Sequence, residues 1–347
     1  MRTNGFKQPG RQNSRRQGSV IIIALWSLLL LATFAVQLGI IVRQKITLVH
    51  RLDDRDQRYR IAEAGVRYAI SQLRKNDALF STDFLAERWS DSKNLFEHRS
   101  VGKGSFTVSF DYSDEDYSRI FYGLQDEESK INLNKADTDV IMRLLESEAG
   151  LTRSDAENIA YNIVDWRDKD SLFQHPQYGA EDSDYKNLKN SYESKDGDFE
   201  VIEELLLVKK INQEIFDKIK NYITVYGDGK ININTAPKAV LLALGLWGYV
   251  ADDILSFRKG GDLIAGTGDD DIFIQSSTIV SRLSQSFNLS PSELGSLDAL
   301  VAQGHFVTKS ENFMVRSVAE LSYRKGQTVI VAVTDRNGQI KYWHEEI

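Results

Sequence analysis

The chain has no cysteine, which excludes disulfides and thiolate metal sites without choosing a compartment. Histidine is scarce: His50, His98, His175, His305 and His344 lie far apart, with none at zinc-ligand spacing. No catalytic constellation is legible. Gly102-x-Gly104 sits beside a strand-like run, but it opens no helix and lacks the third glycine of a phosphate-binding loop. The expectation is therefore a protein that is not an enzyme. Net charge is −7, and the basic front of the chain makes the remainder more acidic still. An acidic body repels nucleic acid and anionic lipid and suits a cation or a basic partner.

Charge is also missing from one long stretch, residues 19–42, which carries no charged side chain until Arg43. As a helix this run spans about 36 Å, enough to cross a hydrocarbon layer of about 30 Å with some tilt. Backbone groups find no partners in such a layer, so the run must be helical there. An ordinary single-pass anchor is one reading. A cleaved secretory signal fits less well, because the apolar region is too long and Gln37-Leu38-Gly39 is not a small-x-small site. A third reading places processing ahead of the run, between Gly18 and Ser19. Arg2, Lys7, Arg11, Arg15 and Arg16, with no acid, make residues 1–18 a basic leader ending in glycine, the layout of prepilin-like proteins. Basic residues flank both ends of the run, so charge alone does not set orientation, but long domains translocate regardless of charge.

The helical pattern continues past the apolar run. Tyr59, Ala62, Val66, Ala69, Ile70 and Leu73 recur at steps of three and four, predicting one helix from Ser19 to about Lys75. Strand patterns follow over residues 105–110 and 119–124, separated by residues 111–118, read as a polar turn. Strands return over residues 313–321, 328–334 and 340–343, the last two joined through Asn337-Gly338, a strong hairpin signal. Isolated hairpins are marginal, so the two ends are expected to pair into one antiparallel sheet on the long helix, interrupted by a helix-rich insertion.

The insertion carries an internal repeat. Lys130-Ile131-Asn132-Leu133-Asn134-Lys135-Ala136 returns as Lys230-Ile231-Asn232-Ile233-Asn234-Thr235-Ala236, each followed by an apolar helical pattern and a second helix. Thr235 with Pro237 reads as a helix start, as do the capping-box runs Ser154 to Glu157 and Ser290 to Glu293. Residues 199–208 and 211–225 read as a further helical hairpin. Two loops are acidic: Asp165, Asp168 and Asp170 running on to Glu181, Asp182 and Asp184, and Asp269, Asp270 and Asp271. Clustered oxygen ligands suit Ca²⁺, but neither loop has EF-hand spacing, and a solvated acidic loop is the simpler reading of spacing alone.

The repeated helix starts resemble helix-hairpin-helix modules, including those of membrane-anchored DNA receptors. Gly245-Leu246-Trp247-Gly248 departs by one residue from the phosphate-contacting hairpin of that pattern. A DNA binder should also show a basic footprint, which this body lacks.

The whole layout resembles the K-type minor pseudopilin of bacterial type II secretion systems. The resemblance runs from the Gly18 leader end through the apolar helix with Trp26 and Ala62-Glu63-Ala64-Gly65. It continues through both repeat copies, Asp165-Trp166-Arg167-Asp168, and Gly179-Ala180-Glu181-Asp182. It implies an α+β, pilin-like fold: a long N-terminal helix packed on an antiparallel sheet, with a large helical domain inserted in the sheet. The expected division is a leader at 1–18, an assembly helix at 19–42, and the second helix half with the first strands at 43–129. The inserted domain then occupies 130–305 and the completing strands 306–347.

The same resemblance implies a structural role at the tip of a secretion pseudopilus, with I-type and J-type minor pseudopilins as partners. A prepilin peptidase, the inner-membrane secretion platform, and cargo or the outer-membrane secretin complete the expected contacts; no nucleic acid is expected. It further implies N-terminal methylation, a single pass through the inner membrane with a periplasmic body, and calcium held by Asp168, Asp170, Glu181, Asp182 and Asp184. Ile23 stands where most pilins carry a glutamate that pairs with a neighbour's amine. Its absence suits a subunit with no neighbour above it, since an unpaired carboxylate in lipid is costly. A minor pilin of a type IV pilus and a helix-hairpin-helix DNA receptor remain the alternatives.

Overall fold

The computed structural model describes Gly5 and residues 14–77, 81–114, 117–188 and 190–346. Most of the expected leader lies outside the described residues; Gly18 and Ser19 fall within the first helix, α1 (Ser14–Asp77). Chain packing divides the protein into two compact units, Met1–Gln57 and Arg58–Ile347. Residues 14–57 of the first unit are helical, and the apolar side chains described there, Ile23 and Trp26 among them, are exposed. Among the described residues, Ser19–Lys75 is long and apolar enough to cross a membrane.

In chain order, α1 is followed by the short helix α2 (Lys93–Phe96) and strands β1 (Arg99–Val101), β2 (Gly104–Val108), β3 (Phe110–Asp114), β4 (Tyr117–Phe121) and β5 (Gln125–Asp126). Next come β6 (Ile131–Asn132), α3 (Thr138–Ser147), α4 (Arg153–Arg167), α5 (Asp182–Lys186), α6 (Gln213–Ile219) and β7 (Ile223–Thr224). β8 (Ile231–Asn232), α7 (Lys238–Ala243), α8 (Gly248–Arg258), α9 (Ile279–Ser286), α10 (Pro291–Ala302) and β9 (Phe306–Val307) follow. β10 (Asn312–Leu321), β11 (Arg324–Asp335) and β12 (Ile340–Glu346) complete the described chain.

The main sheet has the order β1-β2-β10-β11-β12, with β5 also paired to β10, and every pairing is antiparallel. Strands from before and after the insertion thus meet through β2 and β10. Ala62, Val66, Ala69 and Leu73, at helical spacing on α1, bury against Phe106 and Val108 of β2, Phe313 and Val315 of β10, and Ile330 and Ala332 of β11. Each fully buried large aliphatic or aromatic side chain here contributes about 1.5–3 kcal/mol. Gly65 lets helix and sheet approach: a Cβ there would lie 2.2 Å from Ser317 Oγ and 2.9 Å from the Phe106 ring.

The strand pattern at residues 105–110 divides where a single strand was expected. β2 ends at Val108, and β3 leaves the sheet to form a separate hairpin with β4, pairing Phe110 with Phe121 and Asp111 with Ile120. The supposed polar turn therefore contains strand: alternation puts Tyr112 in the small core with Phe110, Phe121 and Leu85, while Asp111 and Ser113 face out. Residues 199–208 and 211–225 are also less helical than expected. They form a 3₁₀ turn (Ile202–Leu207), α6, a second 3₁₀ turn and β7.

The two repeat copies fold alike. β6 pairs in parallel with β7, and β8 pairs in parallel with β9, so each copy is closed by a two-residue ladder. Within each copy, the first asparagine's Oδ1 accepts from the second one's backbone: Asn134 N at 2.8 Å from Asn132, and Asn234 N at 3.0 Å from Asn232. The second asparagine's amide then bridges a distant backbone in both directions. Asn134 does so with Phe199 (2.9 and 2.7 Å) and Asn234 with Phe273 (3.0 and 2.8 Å). Arg167, ending α4, donates to Leu133 O and Ala136 O; Arg258, ending α8, donates to Ala236 O. Helix starts differ in detail from expectation. α4 is capped by Thr152 and not by Ser154. α7 starts after Pro237, leaving Thr235 buried, whereas Ser290 and Glu293 form the expected capping box.

Three consecutive carboxylates fasten this helical domain to the sheet. Asp126 Oδ2 accepts from Asn232 (2.9 Å), Thr235 (2.6 Å) and Ser310 (2.7 Å). Glu127 pairs with Lys130 at 2.6 Å and accepts from Thr224. Glu128 accepts from Asn312 N (3.0 Å) and Nδ2 (2.7 Å). All three are buried, and burial raises Glu128 to about 8.

Candidate metal centre

Trp166, Ile163 and Ile159 hold the inner face of α4 in the helical core, which fixes where its last turn ends. Asp165 and Asp168 leave that turn, and the chain loops through Asp170 before returning at Glu181, the residue preceding α5. Asp165 is the post around which the loop folds. Its Oδ1 accepts from Gln174 N and its Oδ2 from Ala180 N, both at 3.1 Å. Gly179, at φ +115°, makes this possible, because a Cβ there would lie 2.1 Å from Asp165 Oδ2. Burial raises Asp165 to about 6, and the neighbouring carboxylates of Asp168 and Asp170 add to the shift.

This folding gathers Asp168, Asp170 and Glu181, each with one carboxylate oxygen within 4.8 Å of the others'. Glu181 is buried, yet neither of its carboxylate oxygens meets a donor, and the buried Asp168 Oδ1 is likewise unpartnered. Buried carboxylate oxygens without donors are costly. Burial, and then the charges of Asp165, Asp168, Asp196 and Asp170, raise Glu181 to about 7. Hard oxygens converging in a negative field have the donor chemistry that Ca²⁺ takes.

Asp182 and Asp184, expected as ligands, are occupied elsewhere. Asp182 pairs with Lys186 at 2.7 Å and accepts from Ser194 N and Oγ. Asp184 pairs with Lys209 at 2.7 Å and accepts from Glu181 N at 3.3 Å, anchoring the turn into α5. Sequence reading missed the role of Asp165; its signal was its place three residues before Asp168 on the inner face of α4.

In the second acidic loop two of the three carboxylates are satisfied by backbone. Asp269 accepts from Gly261 N and Asp262 N, both at 3.0 Å. Asp270 accepts from Gly266 N at 2.7 Å and Thr267 N at 3.2 Å. Asp271 lies 3.6 Å from Arg282.

Residues 122–228, which hold the first repeat copy and the three gathered carboxylates, match the family model described as type II secretion system (T2SS), protein K. No curated protein matches the chain closely enough to count as a relative. The fold is similar to that of a solved chain from the GspK-GspI-GspJ complex of the enterotoxigenic Escherichia coli type 2 secretion system. That likeness has a TM-score of 0.64 at 16% identity and covers 86% of this chain and 99% of that one. The resemblance read from the sequence is borne out, as is the α+β fold of a long N-terminal helix on an antiparallel sheet.

Proposed function

We propose that this protein is a minor pseudopilin of a type II secretion system. It would assemble with two further minor pseudopilins, of the I and J types, at the tip of the pseudopilus. The observation that carries this reading is the match of residues 122–228 to the protein K family, over the segment built from the first repeat and the acidic loop. The likeness to a chain from a complex of three such proteins supports it.

The role is mechanical. The apolar helix at residues 19–42 anchors the subunit in the inner membrane after a prepilin peptidase cuts between Gly18 and Ser19. The body occupies the periplasm, the filament starts beneath it, and the helical domain faces cargo or the outer-membrane channel. Ile23, where other pilins carry glutamate, leaves no carboxylate to seek a neighbour above. Asp168, Asp170 and Glu181 hold a calcium ion, whose charge offsets their repulsion and fixes the loop between α4 and α5.

Co-expression of the full chain with its two candidate partners, purified with calcium or with chelator, tests the reading. The expected result is a stable three-protein complex with no affinity for labelled DNA. A chain that ignores both partners yet binds DNA with steep salt dependence would overturn it in favour of a DNA receptor.

A further inference from the structure

Side chains alternate across the main sheet, so the face opposite α1 carries Met314 of β10, Val331 of β11 and Tyr342 of β12. The register pairs Met314 with Val333 and Val333 with Tyr342, making a cross-strand row. Against this face stands the turn Ile202–Leu207 of the helical domain, leaving a groove of about 120 Å³ floored by these residues and walled by Ile202, Glu203 and Tyr226. β12 forms an edge of the sheet, and no strand pairs its outer side among the described residues.

The groove is apolar at its floor, and around it the carboxylates Glu127, Glu203 and Glu346 outnumber Lys130, with His344 beside them. Burial, then Glu127, Tyr342 and Glu203, hold the proton on Tyr226; burial, then Glu203 and Glu346, hold the proton on Tyr342. Two of these carboxylates have cations already, Glu127 with Lys130 at 2.6 Å and Glu346 with Arg316 at 3.3 Å. Glu203 has no cationic partner among the described residues. An apolar occupant would strip water from Glu203 without replacing its hydrogen bonds, and an anion would meet like charge.

We propose that this groove receives an arginine side chain from an extended segment of a partner protein, its guanidinium lodged between Tyr226 and Tyr342 and paired with Glu203, while the segment runs along the free edge of β12. The volume suits a single long side chain and no larger element. Arginine fits better than lysine because its planar, weakly hydrated guanidinium both packs on phenol rings and forks onto a carboxylate. Backbone pairing at the edge supplies affinity, and the groove supplies the choice of residue. The inference does not depend on the secretion reading, since it names only the chemistry of the occupant.

The chain contains its own reporter. Its three methionines are Met1, Met142 and Met314, of which Met314 lines the groove and Met142 is buried in the helical domain. With methyl-labelled methionine in the full chain in detergent micelles, the probe is a capped Thr-Val-Arg-Val-Thr peptide, compared with the same peptide carrying citrulline for arginine. The arginine peptide is expected to shift the Met314 methyl signal and leave Met142 in place. Citrulline, or the exposed-site variant Glu203→Gln, should weaken binding about tenfold, and Met142 should report an intact core in that variant. A Met314 signal unmoved at saturating peptide, equal binding of the citrulline peptide, or indifference to Glu203→Gln would each overturn the proposal.

Discussion

The loop around Asp168 and Glu181 and the loop around Asp269 and Asp270 are similarly rich in carboxylates, but they differ in where their hydrogen bonds come from. In the second, the chain turns so that backbone N–H groups of Gly261, Asp262, Gly266 and Thr267 point at Asp269 and Asp270. The loop is its own counterion. In the first, Gln174 N and Ala180 N serve Asp165, which is not in the cluster; Asp170 accepts from Leu172 N and Asp168 from Gln174 Nε2, but Glu181 is buried with both oxygens unpartnered. Acidic density is therefore a poor guide to a cation site. The supply of donors separates a self-satisfied turn from a loop that wants an ion.

Removing the unpartnered carboxylate should have the largest effect. Glu181→Gln is expected to weaken calcium binding roughly 100-fold by calorimetry, while Asp270→Ala leaves calcium affinity unchanged. If the two variants bind calcium alike, the contrast between the loops fails.

Next in size is Gly179→Ala. The positive φ and the encounter with Asp165 Oδ2 should cost about 1–3 kcal/mol in chemical denaturation and weaken calcium binding as well. A variant of wild-type stability would mean that Asp165 does not organise the loop.

On the other side of the comparison, Asp270→Ala should cost about 1–3 kcal/mol through the N–H groups it orphans, equally with calcium and with chelator. Stabilisation of the wild type that depends on Asp270 only when calcium is present would make the second loop a cation site after all.

The smallest effect is one of pH. Glu181 lies at about 7 and Asp165 at about 6 in the folded protein, above their ordinary values of 4.5 and 3.8. The folded, calcium-free chain therefore holds more protons than the unfolded chain across this interval, so these groups make stability fall as pH rises from about 4 to about 7. Calcium competes with those protons, so the gain in Tm on adding calcium should grow over the same interval. Melting curves with calcium and with chelator on either side of about pH 6 would show it; a gain independent of pH removes Glu181 from the site.

Much of this was legible in the sequence because it is written in short-range pattern. The steps from Ala62 to Leu73 gave the face of α1 that packs on the sheet, and Asn337-Gly338 gave the β11–β12 turn. The repeat of Lys-Ile-Asn-x-Asn announced two units of one design. What was not legible depends on partners distant in the chain. Nothing in Ser105 to Phe110 says that the strand breaks at Val108 and changes sheet, because both halves alternate equally well. Five carboxylates looked alike until Lys186 and Lys209 claimed Asp182 and Asp184.

The sequence by itself determined the charge-free helix, the strands at both ends, the doubled insertion and the places where acid is concentrated. These follow from side-chain periodicity, turn chemistry and composition, which act over a few residues. Only the tertiary structure decided that Asp126, Glu127 and Glu128 are buried and each bound to a different part of the fold. It alone decided which acidic loop keeps unpartnered oxygens and where Glu203, without a cationic partner among the described residues, borders the groove. The physical reason is that a carboxylate's role is set by the donors and charges brought beside it, and at Glu128 those arrive from 184 residues away.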